Sequence, residues 1–242
     1  MSKAFIELRL NQKPATKEYI RYNGTGISYT ETYLNSLKTA GILKGYGIRK
    51  GDRIALFCYN SPSFIFMLLG AWRLGAVVVP VNHKLKAREL DYILKDSGAK
   101  LLLFDAQLES VVRDIANVVT AISTVGKVAG TDEFEELLKT AAPLQTQDIC
   151  RPDPGMTAQL LYTSGTTGQP KGCVLTHQNV FFASQIAATG LTMTREERTL
   201  VAMPIWHSSP LNNWLGGTTY IGGTIVLLRE YHPVHFLETV TK

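Results

Sequence analysis

Three short runs in this chain are apolar almost without a break: RIALFCYN at residues 53–60, AVVVPV at 76–81 and KLLLFD at 100–105. A strand that alternates apolar and polar residues has one wet face. A run that is apolar throughout has none, so its strand must be covered on both faces. Helical stretches stand between these runs. SPSFIFMLLGAWRLG begins with Ser61 as a cap and Pro62 at the first helical position. It is apolar nearly all round and is predicted to be covered on most sides. KARELDYILKDSG follows and closes at Gly98. Strands alternating with helices in this way predict an α/β fold, with parallel sheets covered by helices.

The rest of the chain fits the same scheme. GTGISYTETYLNSLKTAGILKGYG reads as a short strand, a Thr30 cap and a helix ending near Gly45 or Gly47, with Tyr33, Leu34, Leu37, Ala40 and Ile42 near one face. A helix from about Leu108 to Val118, a weaker strand and the acidic helix DEFEELLKTA come next. AAPLQTQDICRPDPG has three prolines and little periodicity, so it reads as a connector. It divides the chain into a first α/β subdomain, residues 1–150, and the start of a second, 151–242. The second opens with the strand MTAQLLYTSG. It continues with the helix HQNVFFASQIAATG, the strand and turn TLVAMPIWHSSP, the Gly-rich helix or loop NWLGGTTYIGG, the strand TIVLLRE and a last helix, HPVHFLETVTK.

Composition narrows the functional classes. The chain is 45% hydrophobic and 19% charged, ordinary proportions for a globular protein that buries a core. Its net charge of +5 comes from scattered Lys and Arg with no tight basic run, which speaks against a nucleic-acid partner. Three cysteines, Cys58, Cys150 and Cys173, show no paired spacing, so neither a disulfide framework nor a metal site is expected. A reducing cytoplasm fits them best. The longest apolar stretch, Phe64 to Val81, is interrupted by Arg73, Gly75 and Pro80, and no transmembrane segment is predicted.

The stretch LLYTSGTTGQPKGCVLTH, Leu160 to His177, departs from this pattern. Thr163 to Gly172 hold three Gly, four hydroxyl residues, one Pro and one Lys between strand-like flanks. Glycines let successive N–H groups converge on an anion, hydroxyls add donors, and Lys171 adds a cation. That set suits a polyphosphate, although a merely structural loop has the same composition. It is not a Walker loop: counting from Gly165, the sixth position is Pro170, and Lys171 is followed by Gly172. The helix after the loop is also delayed by the strand CVLT, so no helix dipole is aimed at the anion.

YTSGTTGQPKG resembles the signature of the adenylate-forming superfamily, the acyl-CoA synthetases and their relatives. GIRKGDRIALFCYNSPSFIFMLLGAWRLGAVVVPVN and AMPIWHSSP resemble that family's early region and its segment after the loop. The resemblance implies the family's large N-terminal domain. It implies ATP, bound with the loop around its β- and γ-phosphates, at Thr163, Ser164, Gly165, Thr166, Thr167, Gly168 and Lys171. It also implies Mg²⁺, a small-molecule carboxylic acid that attacks the α-phosphorus, and coenzyme A as the acceptor of the acyl group. His207 matches a position beside the acyl and adenylate site, with Trp206 as its aromatic neighbour; a structural histidine is the alternative. Trp214 reads either as a wall or gate of an acyl tunnel or as ordinary helix packing. No carboxylate lies between Met203 and Arg229, so an amino-acid substrate is disfavoured, because its ammonium would be buried unpaired. A medium or long fatty acid is expected first; aryl and short branched acids stay open.

The resemblance also implies what to expect beyond Lys242. The family's second nucleotide motif and its ribose-binding Asp do not occur in this sequence, and its catalytic Lys is expected beyond Lys242. The expectation is an N-terminal part of an acyl-CoA synthetase. The alternatives are a non-catalytic nucleotide- or pyrophosphate-binding module, or one half of a split enzyme completed in trans. A homodimer is a further expectation.

Overall fold

The computed structural model describes residues 16–116, 119–163 and 168–241. The large sheet is built from β3 (Arg53–Phe57), β4 (Val77–Pro80), β5 (Ala99–Asp105), β6 (Thr120–Thr124), β7 (Asp132–Glu133), β8 (Thr157–Thr163) and β9 (Lys171–Thr176), in the order β7-β6-β5-β3-β4-β8-β9. All neighbours are parallel except the β8–β9 hairpin. The small sheet joins β1 (Glu18–Tyr22) and β2 (Thr25–Ser28) to β10 (Arg198–Val201) and β11 (Thr224–Leu227), with β11 parallel to both β1 and β10. Each sheet takes strands from both sides of residue 150, where the sequence reading divides the chain.

The apolar runs are covered on both faces, as their composition requires. Ile54, Leu56, Leu101 and Leu103 enter one core; their neighbours Ala55, Phe57, Leu102 and Phe104 enter another, closed by Leu90, Ile93 and Leu94. Those three belong to α3 (Ala87–Ser97). The first core is shared with the small sheet through Tyr19, Ile20, Ile225 and Leu227, and contains most of α2 (Pro62–Leu74). That is why α2 is apolar all round. Ser61 Oγ accepts from Phe64 N and Gly75 ends the helix at φ 72°, so both predicted boundaries hold.

Some details differ from the sequence reading. α1 (Tyr29–Gly45) is capped by Ser28, not Thr30, because Glu31 is spaced to complete a capping box with Ser28. Leu34 is exposed, and the buried side of α1 includes Thr32, Ser36, Thr39 and Leu43. Small residues let the helices approach: a Cβ on Gly70 of α2 would lie 2.6 Å from the Thr39 side chain. The helix expected from Leu108 to Val118 is a 3₁₀ turn, Ala106–Leu108, followed by α4 (Glu109–Arg113). Val118 lies outside the described residues. Asp105 shapes this start by accepting from Gln107 N at 3.1 Å. Further elements are α5 (Phe134–Thr140), α6 (His177–Gly190), a π-helix at Ser209–Leu215 that runs into α7 (Gly216–Ile221), and α8 (Pro233–Val240). No helix among the described residues is long and apolar enough to cross a membrane.

Candidate functional site

The polar loop is the turn of the β8–β9 hairpin. Thr163 stands opposite Lys171, and Tyr162 opposite Gly172, so the strand register fixes both ends of the loop. Thr163 and Lys171 are exposed. Ser164, Gly165, Thr166 and Thr167 lie outside the described residues. So does Lys242, beyond which the resemblance places the family's catalytic Lys. Gly168 has φ 93° with open space where a Cβ would be, so glycine is needed there for backbone conformation rather than for room. Gly172 is needed for room, since its Cβ would lie 3.1 Å from the Tyr162 ring. The Tyr162 hydroxyl donates to Asp96 Oδ2 at 2.5 Å and ties the hairpin to α3. Burial, followed by the Asp96 carboxylate, pushes the phenol pKa up, so it stays a donor.

β8 runs parallel to β4, so the loop leaves from the carboxyl edge of the large sheet. Open α/β sheets bind ligands outside the carboxyl ends of their strands. The carboxyl ends of the small sheet's parallel strands come to the same edge, and one buried side chain makes the junction. Asn60, just past β3, donates from Nδ2 to Met203 O at 3.0 Å and to Leu228 O at 2.9 Å, and accepts from Ile205 N at 2.8 Å. Asp105, at the end of β5, pairs with Arg229, just past β11, at 2.9 Å. Arg229 also donates to Gln107 Oε1 and lies 4.4 Å from the Tyr59 ring centre.

Trp206 and His207 follow β10 on this edge. The Trp206 indole donates to His83 Nδ1 at 3.2 Å, and His83 follows β4, the neighbour of β8. His207 is exposed; its Nδ1 accepts from Ser209 N at 3.4 Å, and its backbone oxygen accepts from Leu211 N. Trp214, on the π-helix, is 38% exposed and lines a mostly apolar groove of about 560 Å³ with Leu191, Met193, Met203 and Phe236, which Glu197 and Thr199 also border. Trp206 and His207 stand outside that lining. The structure thus groups Thr163, Lys171, Trp206 and His207 along one edge, and gives Trp214 a wall of its own.

A second buried link joins the π-helix to the hairpin. Gln159 on β8 and Asn212 exchange two amide hydrogen bonds, at 3.0 and 3.1 Å, both side chains being buried. Asn212 O also accepts from Ser184 Oγ of α6 at 2.9 Å. π-Helical turns occur often at functional sites, and here the turn sets the amide and Trp214 on one short segment. Sequence reasoning missed Asn60, His83, Gln159, Asn212 and Arg229 as site-building residues. For Asn60, His83 and Arg229 the available signal was a polar side chain just past the end of an apolar strand; Gln159 lies within β8 and Asn212 within the π-helix, where no such signal stands.

The same fold occurs in apo MatB from Rhodopseudomonas palustris and in a benzoate CoA ligase from Burkholderia xenovorans, each matched over 48% of its chain at 23% identity. The chain belongs to the AMP-binding enzyme family, whose pattern it matches over residues 6–242. It is 35% identical over 208 residues to the long-chain-fatty-acid–CoA ligase FadD13 of Mycobacterium tuberculosis, covering 85% of this chain and 41% of that protein. It is 32% identical over 222 residues to the feruloyl-CoA synthase of an Amycolatopsis species, covering 91% and 43%. Among solved structures, ATP-bound MatB from Rhodopseudomonas palustris superposes with a TM-score of 0.87 at 25% identity, over 100% of this chain and 48% of MatB. The chain therefore spans about two fifths of the length of these curated relatives.

Proposed function

We propose that this chain is the phosphate-gripping and acid-binding part of a carboxylate–CoA ligase. The hairpin carries the reading: Thr163 and Lys171 are held opposite each other at the carboxyl edge, with seven residues of the signature assigned to ATP. In this reading Thr163, Ser164, Gly165, Thr166, Thr167, Gly168 and Lys171 hold the β- and γ-phosphates. Backbone and hydroxyl donors with one ammonium offset the charge that grows on the leaving pyrophosphate, and the grip keeps it in line with the attacking carboxylate. Mg²⁺ arrives with the triphosphate and spreads the same charge. The carboxylate oxygen bonds to the α-phosphorus as the bond to pyrophosphate breaks. The coenzyme A thiol then takes the acyl group and AMP leaves.

Trp206 and His207 are the proposed walls at the reacting carboxylate, and Trp214 is the proposed wall further along the acyl part. Apart from Glu197, Thr199 and Tyr231 the groove beside Trp214 is lined by apolar side chains, which supports a medium or long fatty acid; the feruloyl relative keeps aryl acids in the panel. The cysteine pattern supports the cytoplasm.

ATP–pyrophosphate exchange against a panel of carboxylates, measured with the full-length ligase to which this reading assigns the chain, with and without Lys171→Ala, tests the proposal. Exchange should require an apolar acid and should fall by about tenfold or more in the variant, the loss of one charge-assisted contact to the leaving group. Exchange independent of any acid, or unchanged by Lys171→Ala, would remove the assignment.

A further inference from the structure

One histidine on the carboxyl edge takes no part in the phosphate grip. His83 is buried, and its ring lies 4.3 Å from that of Tyr59, tilted by 32°. The Trp206 indole meets it edge-on, centroids 6.3 Å apart and planes at 79°. The indole N–H ends on His83 Nδ1 at 3.2 Å. Tyr59 follows β3, His83 follows β4 and Trp206 follows β10, so this cluster fastens the small sheet's turn to the large sheet. A neutral imidazole that accepts at Nδ1 carries its proton at Nε2, so the bond also fixes the tautomer.

The turn that bears Trp206 and His207 is held at its backbone by Ile205 N donating to Asn60 Oδ1, His207 N to Pro204 O and Leu211 N to His207 O, each of the last two at 3.1 Å, and the His207 ring meets the indole edge-on at 5.9 Å. None of these backbone bonds is made by the indole N–H. Removing the His83 acceptor would leave a half-buried N–H unpaired, and the ring would turn to find water.

We propose that His83 is a positioning residue for the acid site: by accepting the indole N–H it fixes Trp206 and, through the same turn, the approach of His207. The proposal rests on Trp206 and His207 belonging to the acid site. The surroundings keep the acceptor available. Burial first, then Lys84, lowers the His83 pKa from its ordinary value, with Arg229 adding to this while Glu230 and Asp105 act against it. Protonation would turn Nδ1 from an acceptor into a donor and break the bond, so the link is present above the lowered pKa and lost below it.

The indole and imidazole resonances of this chain test the link without any need for turnover. In His83→Phe, which keeps a ring against Tyr59, solvent exchange of the Trp206 indole N–H should speed up by about tenfold, whereas His83→Gln, which keeps an acceptor, should stay near wild type. In Trp206→Phe, the His83 pKa should rise by roughly half to one pH unit, since a bond to the neutral form is removed. Unchanged exchange in His83→Phe, or an unmoved His83 pKa in Trp206→Phe, would overturn the proposal. If His83→Phe does not fold, the Trp206→Phe titration decides alone. Where exchange with an acid is observed, His83→Phe should raise the KM of the acid by about tenfold and leave that of ATP nearly constant. Equal change in both would also overturn it. Absence of ATP–pyrophosphate exchange in the full-length wild-type ligase would count against the ligase reading and leave the resonance result to judge the link.

Discussion

Asn60 follows an apolar strand, sits one residue before a helix cap, and uses its side chain on three backbone groups from two other segments. It is 1% exposed and its partner Ile205 is fully buried, whereas Met203 is exposed. Asn60→Ala should therefore cost about 1–3 kcal/mol, chiefly the penalty of an unpaired buried amide at Ile205, read as a lower midpoint in urea. A loss under about 0.5 kcal/mol would show that the junction does not depend on it. His177, the first residue of α6, supplies a pH dependence. Burial lowers its pKa to about 4, against 6.5 for the free side chain. Between those values the unfolded chain takes up a proton and the native chain does not, so stability should fall as pH drops from 6.5 towards 4. The loss from this one group is on the order of 3 kcal/mol, and His177→Gln should flatten that part of the curve. An identical pH slope in the variant would assign the dependence elsewhere.

At the scale of elements, the buried amide pair fixes how the π-helix sits on β8. Gln159→Leu leaves the Asn212 amide unpaired and should cost about 1–3 kcal/mol; Gln159→Leu with Asn212→Leu should recover part of that, because both polar groups are gone. Equal and additive losses in chemical denaturation would mean that the two amides are not coupled. The elements themselves were largely legible. Ser61–Pro62 and Gly98 mark helix ends through local backbone chemistry, and the apolar runs mark strands through burial. The Ser28 cap was legible too, from its spacing to Glu31, but Thr30 offers the same hydroxyl and hides it. The burial of α1 was harder to read, because its inner face is built from small hydroxyl residues that permit close helix packing, while Leu34 faces out. β1, EYIRY, alternates weakly and is rich in charged and phenolic groups, and nothing local marks it as a strand.

At the scale of the whole molecule, sequence shows least, because the decisive pairings are distant. β1 pairs with β11 some two hundred residues later, and β8 pairs with β4 across β5, β6 and β7. No periodicity announces either. What was legible is the polar loop between two strands, since its run of glycines and hydroxyl residues departs from everything around it. What was not legible is that the carboxyl ends of two sheets meet beside it, held by Asn60, the Asp105–Arg229 pair and the His83–Trp206 bond. That convergence would bring an acid and a triphosphate to one edge, and it is the physical basis of the proposed chemistry. An acid labelled with ¹⁸O in its carboxylate, supplied with MgATP and coenzyme A to the full-length ligase, tests it most directly. If the carboxylate attacks the α-phosphorus and the thiol then takes the acyl group, one labelled oxygen must appear in AMP and none in pyrophosphate. Unlabelled AMP, label in inorganic phosphate beside ADP, or no AMP at all would contradict the account.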